Sequence, residues 1–435
     1  MKARWLAGIS AIIAALTAVQ SACGATVLAG AGRADITPDL QQLSTPLGGY
    51  AARRAKPAVA VHDRIYARAL ILSDGRTKEA LVSVDLCFVP GCLQAMTARL
   101  AASRGVSGLD AGCLFLVATH SHTSPDPLAM DSSNRFHRAG WSSYEPRLLR
   151  FTAGRIADAI ACADRNLAPV KLYAASGDIE GLNRNRRGAG VVDRAMHVLR
   201  VMRPNGGTLA VVIDFAAHPT IYGADMLSIS ADWPGAMCAD IESALNSNST
   251  CLFFNGAEGD AEPAGEQGAT ASDRVANYAQ RISDQALKLL RRAKPLETRR
   301  TTIRMWRLPI LLPARQPNGM FLLAAAQFGA TILQAKQIVN DLMPVSARIA
   351  FLQIGPILLL GFPCEPSGEL GLEAEQIAVK AGFDMPVVCA LTNDWLAYAL
   401  TAEQYRAGNY EAMMSFYGPG LGNAVLAAVR RGCRR

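Results

Sequence analysis

The amino-acid sequence predicts an α/β fold, in which a mixed sheet with flanking helices shows some α+β features. Turn signals at Asp74-Gly75 and Asn205-Gly206 each separate two strand-like apolar runs, which is the pattern of a β-hairpin. Helical apolar spacing recurs between the strand-like runs along most of the chain. Hairpins combined with strand–helix units imply a mixed sheet that is covered by helices.

Each predicted element rests on a local pattern. Strands are predicted where apolar residues run between turn signals, and helices where apolar residues recur at three- and four-residue spacing. Asp232 is a good N-cap residue and predicts the start of a helix. In chain order we expect strands at 65–72, 80–89 and 113–120, a helix at 144–165, strands at 196–202 and 209–215, a helix at 233–245, a strand at 251–255, a helix at 271–292, and strands at 348–354 and 356–362.

Composition excludes several classes of protein. Of the 435 residues, 50% are hydrophobic and 18% are charged, a balance typical of a globular chain rather than a disordered one. The net charge is +8, but no basic run is interleaved with aromatic residues, so we expect no nucleic-acid partner. The positive charge favours only a weak, transient contact with an anionic membrane surface.

The first residues have the layout of a secretory signal peptide. Lys2 and Arg4 precede an apolar run at 5–19, and small residues follow that run. We therefore expect a signal peptide over residues 1–25, one large domain over residues 26–435, and a periplasmic or secreted protein. The alternatives are a buried N-terminal helix and a lipid anchor at Cys23; Gln20, where a lipid-attachment sequence has Leu, disfavours the anchor.

Two of the six histidines lie close together at the end of a predicted strand, in Thr119-His120-Ser121-His122. Functional groups often collect on such loops because the sheet holds them rigidly. Alternation along an extended chain would point both imidazoles to the same side, as a metal site or an acid/base site requires. The alternative is a pair of structural histidines.

His218 and Glu365 also follow predicted strands. His218 is either a further nitrogen ligand or an ordinary loop histidine. Glu365 is either an exposed loop acid or a carboxylate that needs a cation, a metal or water. Two histidines and one glutamate with an open fourth position are a common catalytic Zn²⁺ shell, and this donor set fits Zn²⁺ better than Ca²⁺ or Mg²⁺. Such a site would activate water for hydrolysis.

Tyrosines near the end of the chain and an arginine-rich segment offer further groups. A phenol can ligate a metal or donate to an oxyanion, but packing is the ordinary role of a tyrosine, and we expect it for Tyr405 and Tyr417. The arginine run can equally be a solvated face, and spacing selects no single arginine. The remaining candidates are Tyr398, Tyr410, Arg184 and Arg186.

Short segments over roughly residues 28–430 match one family in order. The sequence resembles the catalytic domain of the neutral/alkaline non-lysosomal ceramidases in these segments: Asp35-Ile36-Thr37-Pro38, Tyr66-Ala67-Arg68-Ala69-Leu70, Thr119-His120-Ser121-His122, Ala217-His218-Pro219-Thr220, Ser230-Ala231-Asp232, Asn255-Gly256-Ala257-Glu258-Gly259-Asp260, Tyr398 with Thr401, Glu403-Gln404-Tyr405 and Tyr410-Glu411.

The resemblance implies a zinc amidase that cleaves the N-acyl bond of ceramide or a related N-acyl lipid with metal-activated water. It implies that Zn²⁺ is held by four side chains, and that three others line the reacting carbonyl. The implied ligands are His120, His218, Glu365 and Tyr398, and the implied catalytic residues are His122, Arg184 and Tyr410.

The sequence departs from the family in three places. Glu258 stands where a small residue is usual, and Glu262 stands where the family carries a serine, so a nucleophilic serine is excluded at that position. The segment Asn183-Arg184-Asn185-Arg186 replaces the family's Asn-Arg-Ser-Pro. The chain also leaves no room for the C-terminal immunoglobulin-like domain of full-length ceramidases, so the expected architecture is the catalytic domain alone.

Two other functions agree with the same residues. One is an exported metal hydrolase that acts on an ester or phosphoester, because the ligand set would be unchanged. The other is a non-catalytic secreted binding protein that has kept the fold. The substrate's acyl preference, the oligomeric state and the disulfide pattern are not predicted by the sequence.

Overall fold

The computed structural model describes residues 27–134, 142–188, 190–246, 248–296 and 301–434, and the predicted signal peptide lies outside them. The described strands are β1 (Leu28–Asp35), β2 (Ala60–Val61), β3 (Tyr66–Ser73), β4 (Lys78–Val84), β5 (Leu114–Ala118), β6 (Ala168–Pro169), β7 (Lys171–Asp178), β8 (Asn183–Asn185), β9 (Ala195–Met202), β10 (Thr208–Phe215), β11 (Ser228–Ile229), β12 (Thr250–Asn255), β13 (Ala261–Pro263), β14 (Lys294–Pro295), β15 (Ile303–Ile310), β16 (Ala347–Ile354), β17 (Ile357–Gly361), β18 (Glu365–Pro366), β19 (Met385–Cys389) and β20 (Tyr398–Ala399).

The described α-helices alternate with these strands. They are α1 (Gly91–Ser103), α2 (Pro127–Met130), α3 (Pro146–Arg165), α4 (Asp232–Ala244), α5 (Ala271–Arg292), α6 (Gly319–Gln327), α7 (Ile332–Leu342), α8 (Gly368–Lys380), α9 (Ala402–Ala407), α10 (Asn409–Met413) and α11 (Leu421–Gly432).

Three larger mixed sheets form the framework. Their strand orders are β5-β4-β3-β1-β6, β12-β10-β9-β7-β14 and β15-β16-β17-β19. Each sheet contains one parallel pair at an edge, β4 with β5, β10 with β12, and β17 with β19, while the other pairs are antiparallel. The helices α1, α4 and α8 make the three parallel crossovers, as a parallel pair requires. The predicted mixed-sheet α/β fold is confirmed.

The three sheets share one apolar core and turn their other faces to helices. Along β5, Phe115 and Val117 point into the core shared by the sheets, whereas Leu114 and Leu116 pack with residues of α1 and α3. This alternation is the two-residue period of a strand that is buried on both faces. The second sheet packs on α4 and α5, and the third on α8 and α11.

The shared core brings three strand ends together. β5, β10 and β17 are each a member of a parallel pair, and the residues after their carboxyl ends are His120, His218 and Glu365. Ligand-binding groups commonly lie at the carboxyl ends of parallel strands. The fold therefore carries these three side chains, which are far apart in sequence, to one place.

Most predicted elements are confirmed, but the role of Asp232 as an N-cap is wrong. The helix α4 includes Asp232 as its first residue, and Ala231 occupies the cap position without a side-chain hydrogen bond. Asp232 has φ +53°, and its carboxylate accepts hydrogen bonds from the backbone N–H groups of Tyr222 and Trp233. The side chain therefore fixes the preceding loop as well as the helix start.

The described cysteines are all free thiols, and several of them, such as Cys87, Cys251 and Cys389, are buried. Within the described ranges, no helix is both long enough and apolar enough to cross a membrane.

A largely buried group of titratable side chains lies between the second sheet and α8. His197 Nδ1 lies 3.3 Å from Asp214 Oδ1, and Glu375 of α8 accepts a hydrogen bond from the backbone N–H of Val388. Burial raises the pKa of Asp214 to about 6 and that of Glu375 to about 8. Burial alone would lower the pKa of His197, but its hydrogen bond with Asp214 leaves that pKa raised.

These shifts predict that stability falls as pH rises. Between about pH 4 and about pH 8 the folded protein keeps protons on Asp214 and Glu375 that the unfolded chain has released, so folding is penalised with rising pH. The raised pKa of His197 acts in the same direction. We expect Glu375→Gln to flatten the decline in Tm between about pH 5 and about pH 8, by roughly 1–3 kcal/mol in the free energy of unfolding.

The matched control for that experiment is Glu373→Gln on the same helix. Glu373 is partly exposed and pairs with Arg430 at 2.8 Å, a surface contact of little energetic value. Calorimetric melting across the pH range should give wild-type behaviour for this control. Equal pH dependence in all three proteins would contradict the role assigned to Glu375.

Candidate metal centre

The loop after β5 brings the rings of His120 and His122 together by a left-handed turn. His120 has φ +74°, so the extended conformation expected from the sequence is wrong at this residue. The backbone N–H of His120 donates to Leu86 O, and its Nδ1 lies 2.6 Å from Cys87 O. The two imidazoles still meet, with Nε2 atoms 3.2 Å apart and rings at 88°.

His218 is held by the loop that follows β12. Its Nδ1 lies 2.8 Å from Glu258 O and 3.0 Å from Ala261 O, and its backbone N–H also donates to Ala261 O. A hydrogen bond from Nδ1–H to a carbonyl leaves the Nε2 lone pair free for a metal. His120 has the same arrangement, and the two rings are 4.6 Å apart.

Glu365 and Tyr398 are register partners in the short parallel pair of β18 and β20. Glu365 Oε2 lies 3.4 Å from His120 Nε2 and 3.5 Å from His218 Nε2, while Oε1 accepts a hydrogen bond from Trp395 Nε1 at 3.0 Å. The phenol oxygen of Tyr398 lies 3.2 Å from His218 Nε2. The four side chains that the sequence assigned to a metal are therefore adjacent.

The donor set fits a divalent cation. All four side chains are buried, with at most 4% of each residue exposed, and within the described residues Glu365 Oε2 has no hydrogen-bond partner. Burial alone would raise the pKa of Glu365, but attraction to His120 holds it well below its usual value. An unpartnered buried carboxylate that faces two Nε2 atoms is costly unless a cation lies among them. Nitrogen and oxygen donors in this number suit Zn²⁺.

The arginine that lies beside this cluster is Arg186, whereas Arg184, the arginine implied by the family resemblance, points away from it. Arg184 lies opposite Glu262 in the β8–β13 pair, and its mostly exposed side chain donates to that carboxylate at 2.8 Å. Arg186 lies just beyond the paired residues, and its Nη2 donates to the Tyr398 oxygen at 3.0 Å. Its Nε donates to Glu411 at 2.7 Å, which fixes the guanidinium beside the cluster.

Tyr410 lies at the opening of the site. Its ring is 5.8 Å from the ring of Tyr398, and the guanidinium of Arg186 lies 5.6 Å from both ring centres. The residue is 48% exposed, so it joins the buried cluster to solvent. The same opening contains a cavity of about 560 Å³ lined by Arg186, Arg187, Gly188, Asn409, Tyr410 and Glu411.

His122 is held by residues that the sequence did not single out. The buried guanidinium of Arg53 donates to the carbonyl of His122, and the ring of Tyr50 meets the His122 ring edge-on at 4.9 Å. Gly49 has φ +86°, and a Cβ there would lie 2.5 Å from the His122 ring. Arg53 also donates to three further carbonyls, those of Gly48, Gly223 and Ala224.

Burial lowers the pKa of His122 well below its usual value, and the neighbouring charges of His120 and His218 lower it further. Within the described residues, its Nδ1 is buried without a hydrogen-bond partner. His122 is therefore a neutral imidazole beside the four clustered side chains, able to accept a proton.

Two further groups border the cluster. Glu258 is fully buried, both its carboxylate oxygens lack a partner among the described residues, and burial raises its pKa well above the usual value. The thiol of Cys87 lies 3.8 Å from His120 Nδ1. The sequence marked Glu258 only as a departure from the family and did not single out Cys87, because neither follows a recognisable ligand spacing.

Comparisons with known proteins agree with this fold. Residues 27–282 match the family model described as neutral/alkaline non-lysosomal ceramidase, N-terminal. The chain is 25% identical over 228 residues to a neutral ceramidase of Pseudomonas aeruginosa, a match that covers 49% of this chain and 33% of that protein. The chain thus matches about a third of the length of this curated relative.

Solved structures resemble nearly the whole chain. A crystal structure of neutral ceramidase from Pseudomonas aeruginosa superposes with a TM-score of 0.79 at 21% identity, covering 94% of this chain and 74% of that one. A ceramidase complexed with C2 gives a TM-score of 0.80 at 19% identity, covering 94% and 75%. The family match extends over more than half of the sequence, and the chain therefore belongs to the neutral/alkaline non-lysosomal ceramidase family.

Proposed function

We propose that this protein is an exported zinc-dependent amidase that hydrolyses the N-acyl bond of ceramide or a related N-acyl lipid. The observation that carries the proposal is the convergence of His120, His218, Glu365 and Tyr398 around an unpartnered carboxylate oxygen. Family membership supports an amide of a lipid as the substrate class. The signal-peptide layout of the first 25 residues supports export.

Zn²⁺ bound by these four side chains would polarise the amide carbonyl and make water a better nucleophile at neutral pH. The other steps fall to the protein's own residues. His122 accepts a proton from the attacking water and returns it to the nitrogen of the leaving amine as the C–N bond breaks. Its neutral, buried imidazole next to His120 supports that role.

Arg186 and Tyr410 are the groups proposed to stabilise negative charge on the carbonyl oxygen. Both lie where the cavity meets the buried cluster, and the Arg186 guanidinium contacts the Tyr398 oxygen. Its ion pair with Glu411 fixes its position before substrate binds, which limits the reorganisation needed during reaction. Burial raises the pKa of Tyr410 to about 12. Its hydroxyl therefore keeps its proton at neutral pH and can donate a hydrogen bond.

A substrate panel tests the proposed function. Purified protein would be assayed with fluorescent ceramides of several acyl lengths, matched esters and phosphodiesters, before and after chelation and after re-addition of Zn²⁺. We expect amide hydrolysis that chelation removes and Zn²⁺ restores. Faster turnover of the esters or phosphodiesters would favour the alternative hydrolase, and turnover of none with tight lipid binding would favour a binding protein.

Arginine substitutions test which of Arg184 and Arg186 acts in the reaction. We expect Arg186→Ala to lower kcat by about 10²–10³-fold, because a fixed oxyanion donor would be lost. The matched change Arg184→Ala should alter kcat less than about twofold, since that side chain is exposed and bonded to Glu262. A larger effect at Arg184 than at Arg186 in steady-state kinetics would restore the assignment implied by the family resemblance.

A further inference from the structure

An apolar helical hairpin is exposed on the surface beside the site. It consists of α6, the turn at 328–331 and the first turn of α7, and no charged residue occurs between Arg315 and Lys336. Helix α6 buries only Phe321 and Ala325. The hairpin's exposed side chains are large and apolar: Met320 at 47%, Leu323 at 72%, Phe328 at 45%, Ile332 at 59% and Leu333 at 79%.

These five side chains, which we call the hairpin patch, form one surface. Met320 and Leu323 are three residues apart and share a face of α6, and Phe328 lies in the turn that leads to Ile332 and Leu333. Scattered single apolar residues are normal on protein surfaces, but a contiguous group marks a contact site. The hairpin patch is therefore a candidate contact surface.

The hairpin lies at the opening of the catalytic site. At its base, Asn318 Nδ2 donates to the carbonyl of Ala412, two residues after Tyr410. At its tip, the ring of Phe328 lies 5.7 Å from the guanidinium of Arg54. The residue before Arg54, Arg53, donates to the carbonyl of His122. The hairpin thus extends from the tyrosine at the entrance to the segment that positions the proposed proton carrier.

Arg54 contacts the patch through the ring of Phe328, Lys56 lies two residues after Arg54, and Lys336 lies three residues after Leu333. Arg54, Lys56 and Lys336 are exposed, and Asp341 is the only acid in the sequence from 301 to 348. In a symmetric dimer through this surface, the same cations would approach their own copies and repel. An anionic lipid surface would instead attract these cations and receive the apolar side chains, the usual arrangement at a membrane interface.

We propose that the hairpin patch docks this protein on an anionic lipid bilayer, with the opening of the site directed at the lipid. The patch would insert into the boundary between headgroups and acyl chains, while Arg54, Lys56 and Lys336 contact the headgroups. This deepens the proposed function, because a lipid amide would reach the site from that same surface. Docking itself requires neither metal nor turnover.

Vesicle flotation of the full chain tests docking. The probes are vesicles of phosphatidylcholine alone and of phosphatidylcholine mixed with phosphatidylglycerol, at low and high salt. We expect binding to the mixed vesicles that weakens with salt. Leu323→Glu combined with Leu333→Glu should reduce binding by at least about tenfold, because charges would replace the two exposed leucines that are proposed to insert into the lipid. Hydrolysis of a water-soluble short-chain amide should stay at the wild-type rate.

The control variant is Val379→Glu, which places one glutamate on a 55% exposed apolar residue of α8, and it should float like the wild type. Phe328→Trp gives a second measurement: its emission should shift to the blue when mixed vesicles are added. No wild-type flotation, or equal flotation of the Leu323/Leu333 variant, would overturn the proposal. The proposal would also be overturned if the wild type formed a dimer that did not bind vesicles and the Leu323/Leu333 variant were monomeric. Loss of amidase activity with flotation intact would count against the proposed function alone.

Discussion

Glu365→Gln is expected to lower Zn²⁺ affinity by at least about 100-fold and to reduce turnover to background at limiting Zn²⁺. The amide keeps the volume of the side chain, so the fold should be preserved. It removes the negative charge that lies 3.4 Å and 3.5 Å from the two imidazole Nε2 atoms. The measurement is metal content by mass spectrometry after dialysis, together with kcat/KM at controlled free Zn²⁺.

Glu373→Gln is the control for this change, because it makes the same substitution at a partly exposed surface position outside the site. It should retain both Zn²⁺ and turnover. If Glu365→Gln also kept stoichiometric Zn²⁺ and full activity, Glu365 would not be a ligand, and the four-residue site would be wrong.

His122→Ala is expected to lower kcat by about 10²–10⁴-fold while the protein keeps its Zn²⁺. The reason is that His122 is proposed to transfer a proton without binding the metal. The neighbouring Nε2 of His120 is only 3.2 Å away, so the metal content must be measured on the same samples. His62→Ala, a substitution at a partly exposed histidine outside the site, is the control and should keep the wild-type kcat.

The two readouts separate the roles of His122. Loss of Zn²⁺ together with activity would make His122 a metal ligand rather than a proton carrier. A kcat within about twofold of wild type would show that another group, such as Tyr410, carries the proton.

Local patterns were enough to predict most of the fold. The hairpin of β3 and β4 surrounds its Asp74-Gly75 turn, and α5 has the predicted bounds Ala271–Arg292. These elements follow from turn chemistry and apolar spacing, which act over a few residues. The N-cap assignment of Asp232 failed because the conformation there, with φ +53°, depends on hydrogen bonds to a loop ten residues earlier.

Three of the predicted ligand residues could be found because the ends of their strands can be recognised in the sequence. His120, His218 and Glu365 each follow a strand that the sequence indicated, and carboxyl ends of parallel strands carry binding groups. Spacing could not choose between Arg184 and Arg186, since their directions depend on where the β8–β13 pairing stops. Nor could it reveal the contact of Arg53 with His122, which joins segments 69 residues apart.

Anomalous diffraction at the zinc edge tests the central claim most directly. Crystals of the protein purified with Zn²⁺ should show one strong peak within about 2.0–2.3 Å of His120 Nε2, His218 Nε2, Glu365 Oε2 and the Tyr398 oxygen. A peak elsewhere, for instance beside His197 and Asp214, or no peak in crystals grown with Zn²⁺, would contradict the account.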